Sequence, residues 1–180
     1  NLPLIEHVAK KNKPIIISTG MSTISEINDA VEVVRSTGNK NLALLHCNSA
    51  YPSVHAELNL KFMNKLGSIY EVPVGFSDHS TDLLASKTAI ALGANIIERH
   101  FTIDKKMEGP DHLLSSDKAE MKKLINFKNS FKNYQKWFSS LNRITQNKIK
   151  GILGDGIKKI QPNEFLTINS QKKCLYAKRI

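Results

Sequence analysis

Four short apolar runs, each ending in polar residues, constrain this chain more than any other feature. They are Ile15-Ile16-Ile17-Ser18-Thr19-Gly20, Leu42-Ala43-Leu44-Leu45-His46-Cys47-Asn48-Ser49, Val74-Gly75-Phe76-Ser77-Asp78-His79 and Ile96-Ile97-Glu98-Arg99-His100. A strand buried on both faces needs continuous apolar residues, and the polar atoms at its carboxyl end must be solvated, hydrogen-bonded or bound to something. Helical stretches separate the runs, so the pattern is βαβαβαβα, which implies a parallel sheet. The strands are expected side by side in chain order, with their carboxyl ends gathered around one concavity. A doubly wound sheet stays open, although the first run lacks a Gly-rich phosphate fingerprint. Four units also equal half of a (β/α)8 barrel, and an amphipathic helix ahead of the first run suggests further units upstream.

Punctuation marks the elements. Leu2 to Lys13 reads as a helix end leading into Pro14, and Thr23-Ile24-Ser25-Glu26 as a capping box. Ile27, Ala30, Val31 and Val34 follow at helical spacing up to Gly38, and Leu58, Phe62, Met63 and Leu66 mark the next helix. Pro73 opens the third strand. Leu83 to Leu92 forms a helix closed by Gly93, and the fourth strand is expected from about Ala94 to Phe101. Asp104–His112 is a loop. One long amphipathic helix is expected from Ser116 or Asp117, with Met121, Leu124, Phe131, Tyr134 and Phe138 as its buried stripe. Gly154-Asp155-Gly156 is a turn, Gln161-Pro162-Asn163 a linker, and Lys173 to Ile180 the start of a strand in a further domain.

The 180 residues suggest one domain with a real core. No apolar run approaches the roughly 20 residues that span a bilayer, and Asn1-Leu2-Pro3-Leu4 has no signal-peptide character. The chain begins as if inside a larger protein. Cys47 and Cys174 make no framework of bridges and fit a reducing, cytoplasmic compartment. The net charge of +10 is localised: residues 1–117 hold 11 Lys/Arg and 13 Asp/Glu, residues 118–180 hold 15 and 3. These C-terminal residues show no nucleic-acid-binding motif, so a solvated Lys-rich helix face is the expectation.

His79 and His100 end adjacent strands. Ser77 and His79 share one face, as do Glu98 and His100, so in a barrel the two imidazoles converge. Two His with water and substrate oxygens suit a divalent ion such as Mn²⁺, Fe²⁺ or Co²⁺. Taken singly, each is more often a structural residue, and no third protein ligand emerges from spacing. Ser18, Thr19, Asn48, Ser49 and Ser77 are small donors at strand ends, suited to phosphate or carboxylate oxygens or to ordinary capping. His46 and Cys47 point to opposite faces, which argues against a nucleophilic pair. Asp111 and His112 could cover the site; His7 and His55 are expected at the surface.

At these residues the chain resembles the sialic acid synthase family. The matching motifs are Leu2-Pro3-Leu4-Ile5-Glu6, Lys13-Pro14 with Ser18-Thr19-Gly20-Met21, and His46-Cys47 with Ser49 and Tyr51-Pro52. They continue with Ser77-Asp78-His79, Ala91-Leu92-Gly93-Ala94, Glu98-Arg99-His100-Phe101-Thr102, Asp104-Lys105, Gly109-Pro110-Asp111-His112 and Leu153-Gly154-Asp155-Gly156-Ile157-Lys158-Lys159. The resemblance implies the last four units of a TIM-type (β/α)8 barrel over residues 1–150. Residues 151–180 would be the linker and start of an antifreeze-like (SAF) domain. It further implies condensation of phosphoenolpyruvate with an N-acetylated amino sugar to a nonulosonic acid, with release of phosphate, in a homodimeric cytoplasmic enzyme. His79 and His100 fall on the metal ligands, for Mn²⁺ or else Mg²⁺ or Co²⁺. Ser18, Ser49 and Ser77 fall where the family holds phosphoenolpyruvate, and Tyr51 and Asp111 where it contacts the sugar. Asn48 replaces the usual Thr, and Glu108 a common Pro. The family's catalytic Glu and its phosphate- and carboxylate-binding Lys come from the first four strands, so residues 1–180 alone are expected to be inactive and poorly behaved. The competing readings are a metal-dependent sugar-phosphate aldolase-type barrel and a non-catalytic half-barrel binding module with a basic tail. Neither nucleic acid nor membrane is an expected partner.

Overall fold

A computed structural model describes residues 1–166 and 168. Four strands, β1 (Ile15–Ser18), β2 (Leu42–Cys47), β3 (Val74–Ser77) and β4 (Ile96–Glu98), form one sheet in the order β1-β2-β3-β4. Every pairing is parallel. A doubly wound sheet would reverse its order part-way; this sequential order is that of consecutive units of a β/α barrel, here a partial one.

Helices α1 (Leu2–Ala9), α2 (Ile24–Ser36), α3 (Lys61–Tyr70) and α4 (Leu84–Ala91) alternate with the strands. The capping box at α2 forms as the sequence requires: Glu26 N donates to Thr23 Oγ1 at 3.2 Å, and Thr23 N to Glu26 Oε2 at 2.7 Å. Caps of this kind are worth about 1 kcal/mol. The register sorts the strand residues into two sets. Ile15, Ile17, Leu42, Leu44, Val74, Phe76 and Ile97 join the core cluster with Val31, Val34, Leu66, Ala85 and Ala89 of the helices. Burying each large side chain there contributes about 1.5–3 kcal/mol. The other set, which includes Ile16, Ser18, Leu45, Cys47, Gly75, Ser77 and Glu98, supplies none of that cluster. Gly75 is required on this second face: a Cβ there would lie 2.3 Å from the Ile96 carbonyl and 2.7 Å from Leu45 Cδ2.

Several expectations need correction. β4 stops at Glu98, because Arg99 turns to a buried partner described below, although Phe101 still bridges Ser116 in parallel. The single long helix is three: α5 (Lys118–Ser130), α6 (Tyr134–Ser139) and α7 (Arg143–Leu153). Phe131 is extended, and Asn133 and Asn142 each accept from the backbone N three residues on, so each starts a new helix. Of the expected stripe only Leu124 is buried; Phe131, Tyr134 and Phe138 are half-buried and, with Phe127 and Trp137, stack mainly on one another. Gln161-Pro162-Asn163 is not a bare linker, since Pro162–Glu164 forms a 3-10 turn that ends in a buried Glu164. Helix α7 runs on through residues 150 and 151, and its Ile149 and Ile152 are fully buried. The strand expected at Lys173 to Ile180 lies outside the described residues. Lys122, Lys123, Lys128, Lys132, Lys136, Lys148 and Lys150 are exposed, as a solvated basic face requires. No helix among the described residues is long and apolar enough to cross a membrane.

Candidate active site

The carboxyl ends of all four strands open into one cleft of about 460 Å³. Its walls include Ser18, Ser49, Tyr51, Ser77, His79, His100 and Asp111, the seven residues to which the resemblance gave a ligand role, together with Gly20, Cys47 and Glu98; Thr19, Asn48 and His112 are not among its lining residues. They meet because parallel register aligns the strand ends: Cys47 pairs with Ser77, and Ser77 with Glu98. Two residues further along each chain come Ser49, His79 and His100.

The histidines are held differently. His79 Nδ1 lies 2.8 Å from the Asn48 carbonyl. A carbonyl only accepts, so Nδ1 carries the proton and Nε2 keeps its lone pair for a ligand. Cys47 Sγ is more distant, at 4.0 Å from the same nitrogen. Burial, partly offset by that carbonyl, lowers the His79 pKa, which favours the neutral imidazole a metal needs. His100 stacks on Tyr51, with ring centroids 4.3 Å apart, and its Nδ1 is 3.7 Å from Asp111 Oδ2. The two imidazoles are 5.4 Å apart and nearly perpendicular. Two imidazoles bound to one ion at ~2.1 Å have centroids roughly 5 Å apart, so the pair fits a shared divalent cation. Among the described residues no group of three or more His, Cys, Asp or Glu gathers as a metal cluster. A cation here would take its remaining ligands from oxygens of water or substrate.

The hydroxyls complete the cleft. Ser77 Oγ donates to Glu98 Oε1 at 2.6 Å. Ser49 occupies a notch beside Gly20, where a Cβ would come within 2.0 Å of Ser49 Oγ. Tyr51 follows its strand end through a cis Tyr51–Pro52 peptide, and its hydroxyl reaches the Asp111 carbonyl at 3.5 Å. The Asp104–His112 loop thus brings Asp111 to the cleft, while His112 is held by Thr102 at 2.8 Å. Burial pushes the Cys47 thiol up to about 11, so it stays protonated and is a poor nucleophile.

Other polar residues prove structural. Thr19 donates to the Leu45 carbonyl, and the Asn48 amide bonds Glu57 and Asn163. His46 is buried on the helix side with Nε2 2.6 Å from the Leu58 carbonyl, and burial lowers its pKa to about 4. His7 is exposed as expected, but His55 is only half-buried and bonds Asp82 at 3.2 Å.

Three features escaped the sequence reading. Glu98 lines the cleft beside its Ser77 partner. Asp78 and Arg99, between the inward-facing residues, form a buried ion pair on the other side, with Ser86 also on the Asp78 carboxylate. Arg99 further donates to the Ser80 carbonyl at 2.9 Å and to Ser116 Oγ at 2.7 Å. The pair locks the two histidine-bearing strand ends together; charged residues alternating with site residues were its only sequence signal. Glu164 reaches the cleft wall from over 100 residues away and had none.

Residues 1–137 match the family model described as the NeuB family. The N,N'-diacetyllegionaminic acid synthase of Campylobacter jejuni is 41% identical over 181 residues, 99% of this chain and 49% of that protein. The crystal structure of the spore coat polysaccharide biosynthesis protein SpsE from Bacillus subtilis superposes with a TM-score of 0.76 at 31% identity, over 93% of this chain and 46% of that one. The N-acetylneuraminic acid (sialic acid) synthetase of Leptospira borgpetersenii, solved with citrate, gives a TM-score of 0.68 at 32% identity, over 97% and 55%. The chain therefore spans about half the length of the relatives it matches. A parallel sheet in barrel order, a cleft built from the family's motif residues and a family match across three-quarters of the sequence lead to one conclusion: the chain belongs to the NeuB family, as its resemblance to sialic acid synthases implied.

Proposed function

We propose that this cleft is the part of a nonulosonic acid synthase active site contributed by four consecutive β/α units, and that its substrates are phosphoenolpyruvate and an N-acetylated amino sugar. The observation that carries the reading is the convergence of Ser18, Ser49, Tyr51, Ser77, His79, His100 and Asp111 on one cleft. Ser18, Ser49 and Ser77 offer hydroxyls to the phosphate and carboxylate of phosphoenolpyruvate. Tyr51 and Asp111 hold the open-chain sugar. His79 and His100 hold a divalent cation, Mn²⁺ or else Mg²⁺ or Co²⁺, and such an ion, when bound, supplies Lewis-acid polarisation of the sugar aldehyde. The methylene carbon of phosphoenolpyruvate bonds to the aldehyde carbon. Water then adds at the carbon bearing phosphate, and C–O cleavage releases inorganic phosphate. Holding both substrates in one orientation supplies much of the acceleration.

The test is phosphate release from phosphoenolpyruvate with an amino-sugar acceptor. It is run on residues 1–180 alone and on the same chain joined to the first four β/α units of the Campylobacter relative. Phosphate release is expected only from the joined protein, only with both substrates, and not in chelator or in His79→Ala or His100→Ala. Turnover by either variant overturns the metal assignment. A joined protein that condenses a sugar phosphate without phosphoenolpyruvate favours the aldolase-type reading. One that is folded but inert favours the binding module.

A further inference from the structure

The segment after α7 returns to the cleft. Gly154 and Gly156, with φ of +61° and +73°, fold it against Asn59, whose side chain accepts from Gly156 N at 2.7 Å and donates to the Ile157 carbonyl at 2.8 Å. From there Lys158 Nζ donates to the Thr19 carbonyl at 2.7 Å, at the end of β1. Asn163 Oδ1 accepts from Asn48 Nδ2 at 3.2 Å, just past β2. Glu164 follows and is only 1% exposed. Its Oε1 accepts from Ser49 N at 2.8 Å and Met21 N at 3.2 Å; its Oε2 accepts from Gln161 N at 2.9 Å.

A buried carboxylate persists only where donors replace its hydration. Here backbone N–H groups do so, and the Lys158 ammonium is near enough that both charges act on the Cys47 thiol. Met21 sits at φ +50°, a conformation a non-glycine residue adopts only when its surroundings hold it there. The Glu164 carboxylate is one such hold. Ser49 is fixed twice, by its amide on Glu164 and by its hydroxyl in the notch beside Gly20. Free N–H groups at strand ends are ready anion donors. With Glu164 occupying them, Ser49 presents its hydroxyl to the cleft instead.

We propose that Glu164 is a positioning residue of the cleft: its carboxylate clamps Ser49 and Met21 and so sets the wall, formed by Ser18, Gly20 and Ser49, that receives the phosphate-bearing substrate. The substrate clause rests on the proposed function; the clamp itself does not.

The experiment uses the chain joined to the first four β/α units of the Campylobacter relative, and compares it with its Glu164→Ala and Glu164→Gln variants by residue-resolved amide hydrogen exchange and by phosphoenolpyruvate affinity in calorimetry. In Glu164→Ala the Ser49 and Met21 amides are expected to exchange at least about tenfold faster, the loss of a hydrogen bond to a charged acceptor, while core amides such as Val31 keep their protection. Phosphoenolpyruvate affinity is expected to fall about tenfold, the size of other losses from supporting residues one contact removed from a ligand. Glu164→Gln is expected to restore part of both, because its carboxamide oxygen still accepts from Ser49 and Met21 while its NH₂ opposes the Gln161 N–H. Unchanged exchange at Ser49 and Met21, or unchanged affinity despite faster exchange, overturns the proposal. If Glu164→Ala loses protection throughout, the same two measurements on Glu164→Gln decide. A joined protein with Glu164 intact that fails to bind phosphoenolpyruvate counts against the proposed function, and local exchange then judges the clamp alone.

Discussion

On the helix-covered face of the sheet, Ile17, Leu44, Val74 and Phe76 pack against α2, α3 and α4. On the opposite face Ile16 is 54% exposed, and Ser18, Ser77 and Glu98 bring hydroxyls and a carboxylate to the cleft. The same strands build both, because alternate side chains point opposite ways. The contrast is sharpest at the ends of β3 and β4. Asp78 and Arg99 turn away into a buried ion pair, while their neighbours Ser77, His79, Glu98 and His100 line the cleft. One set of side chains stabilises the strand ends and the other remains available to a ligand. A substitution on one face should therefore change stability, and on the other, binding.

The largest effect is expected at the ion pair. Arg99→Ala leaves the Asp78 carboxylate buried without its cation, which destabilises by about 3–5 kcal/mol. Chemical denaturation measures it. A midpoint equal to that of the unaltered chain would break the distinction between the two sets.

Next comes pH. His46 is neutral and buried on the helix side, with a pKa of about 4, against the usual value near 6.5. The unfolded chain therefore takes up a proton first as pH falls. Stability is full above about pH 6.5 and drains away between there and pH 4, by about 3 kcal/mol at most. Denaturation curves across that range should be flatter in His46→Gln. Equal slopes would show that His46 is not the group responsible.

His79→Ala should do the reverse of Arg99→Ala. Divalent-ion affinity, measured on the chain by calorimetry, is expected to fall on the order of 100-fold, about 2.7 kcal/mol. Because His79 is only partly buried, the denaturation midpoint should shift little. A large stability loss with ion binding intact would make His79 a structural residue.

The smallest effect belongs to Ile16. Ile16→Thr at this exposed site should change stability by no more than about 0.5 kcal/mol. It should nonetheless reduce self-association in size-exclusion chromatography, because an apolar sheet face and open strand edges recruit other chains. The same substitution at Ile17, which packs on the core, should destabilise clearly. Matching behaviour at the two positions would erase the comparison between the faces.

Much of this was legible in the linear sequence because the relevant physics is local. β1, β2 and β3 begin where their apolar runs do and continue into the polar ends of those runs, to Ser18, Cys47 and Ser77. The capping box at Thr23 formed as written, since both of its partners lie within one turn. That Ser18, Ser49, Ser77, His79 and His100 gather at one cleft was legible from strand alternation and parallel order, because a parallel sheet brings strand ends together, whereas Tyr51 and Asp111 were legible only from the family's motifs.

The rest depended on partners remote in sequence. Apolar spacing from Met121 to Phe138 is compatible with one helix. Asn133 and Asn142 have a better use as caps, and an aromatic cluster replaces the buried stripe. Asp78 and Arg99 read as ordinary polar residues at strand ends until the fold closes them on each other. Gln161-Pro162-Asn163 has the composition of a linker, yet it delivers Glu164 to backbone amides 115 and 143 positions away. Periodicity and turn chemistry are properties of neighbours along the chain, so the sequence alone determined where the four strands lie, their parallel pairing and the end of the sheet where polar residues collect. Which buried charge meets which donor is a property of neighbours in space. Only the tertiary structure decided it, because a carboxylate leaves water only where the completed fold offers hydrogen bonds in its place.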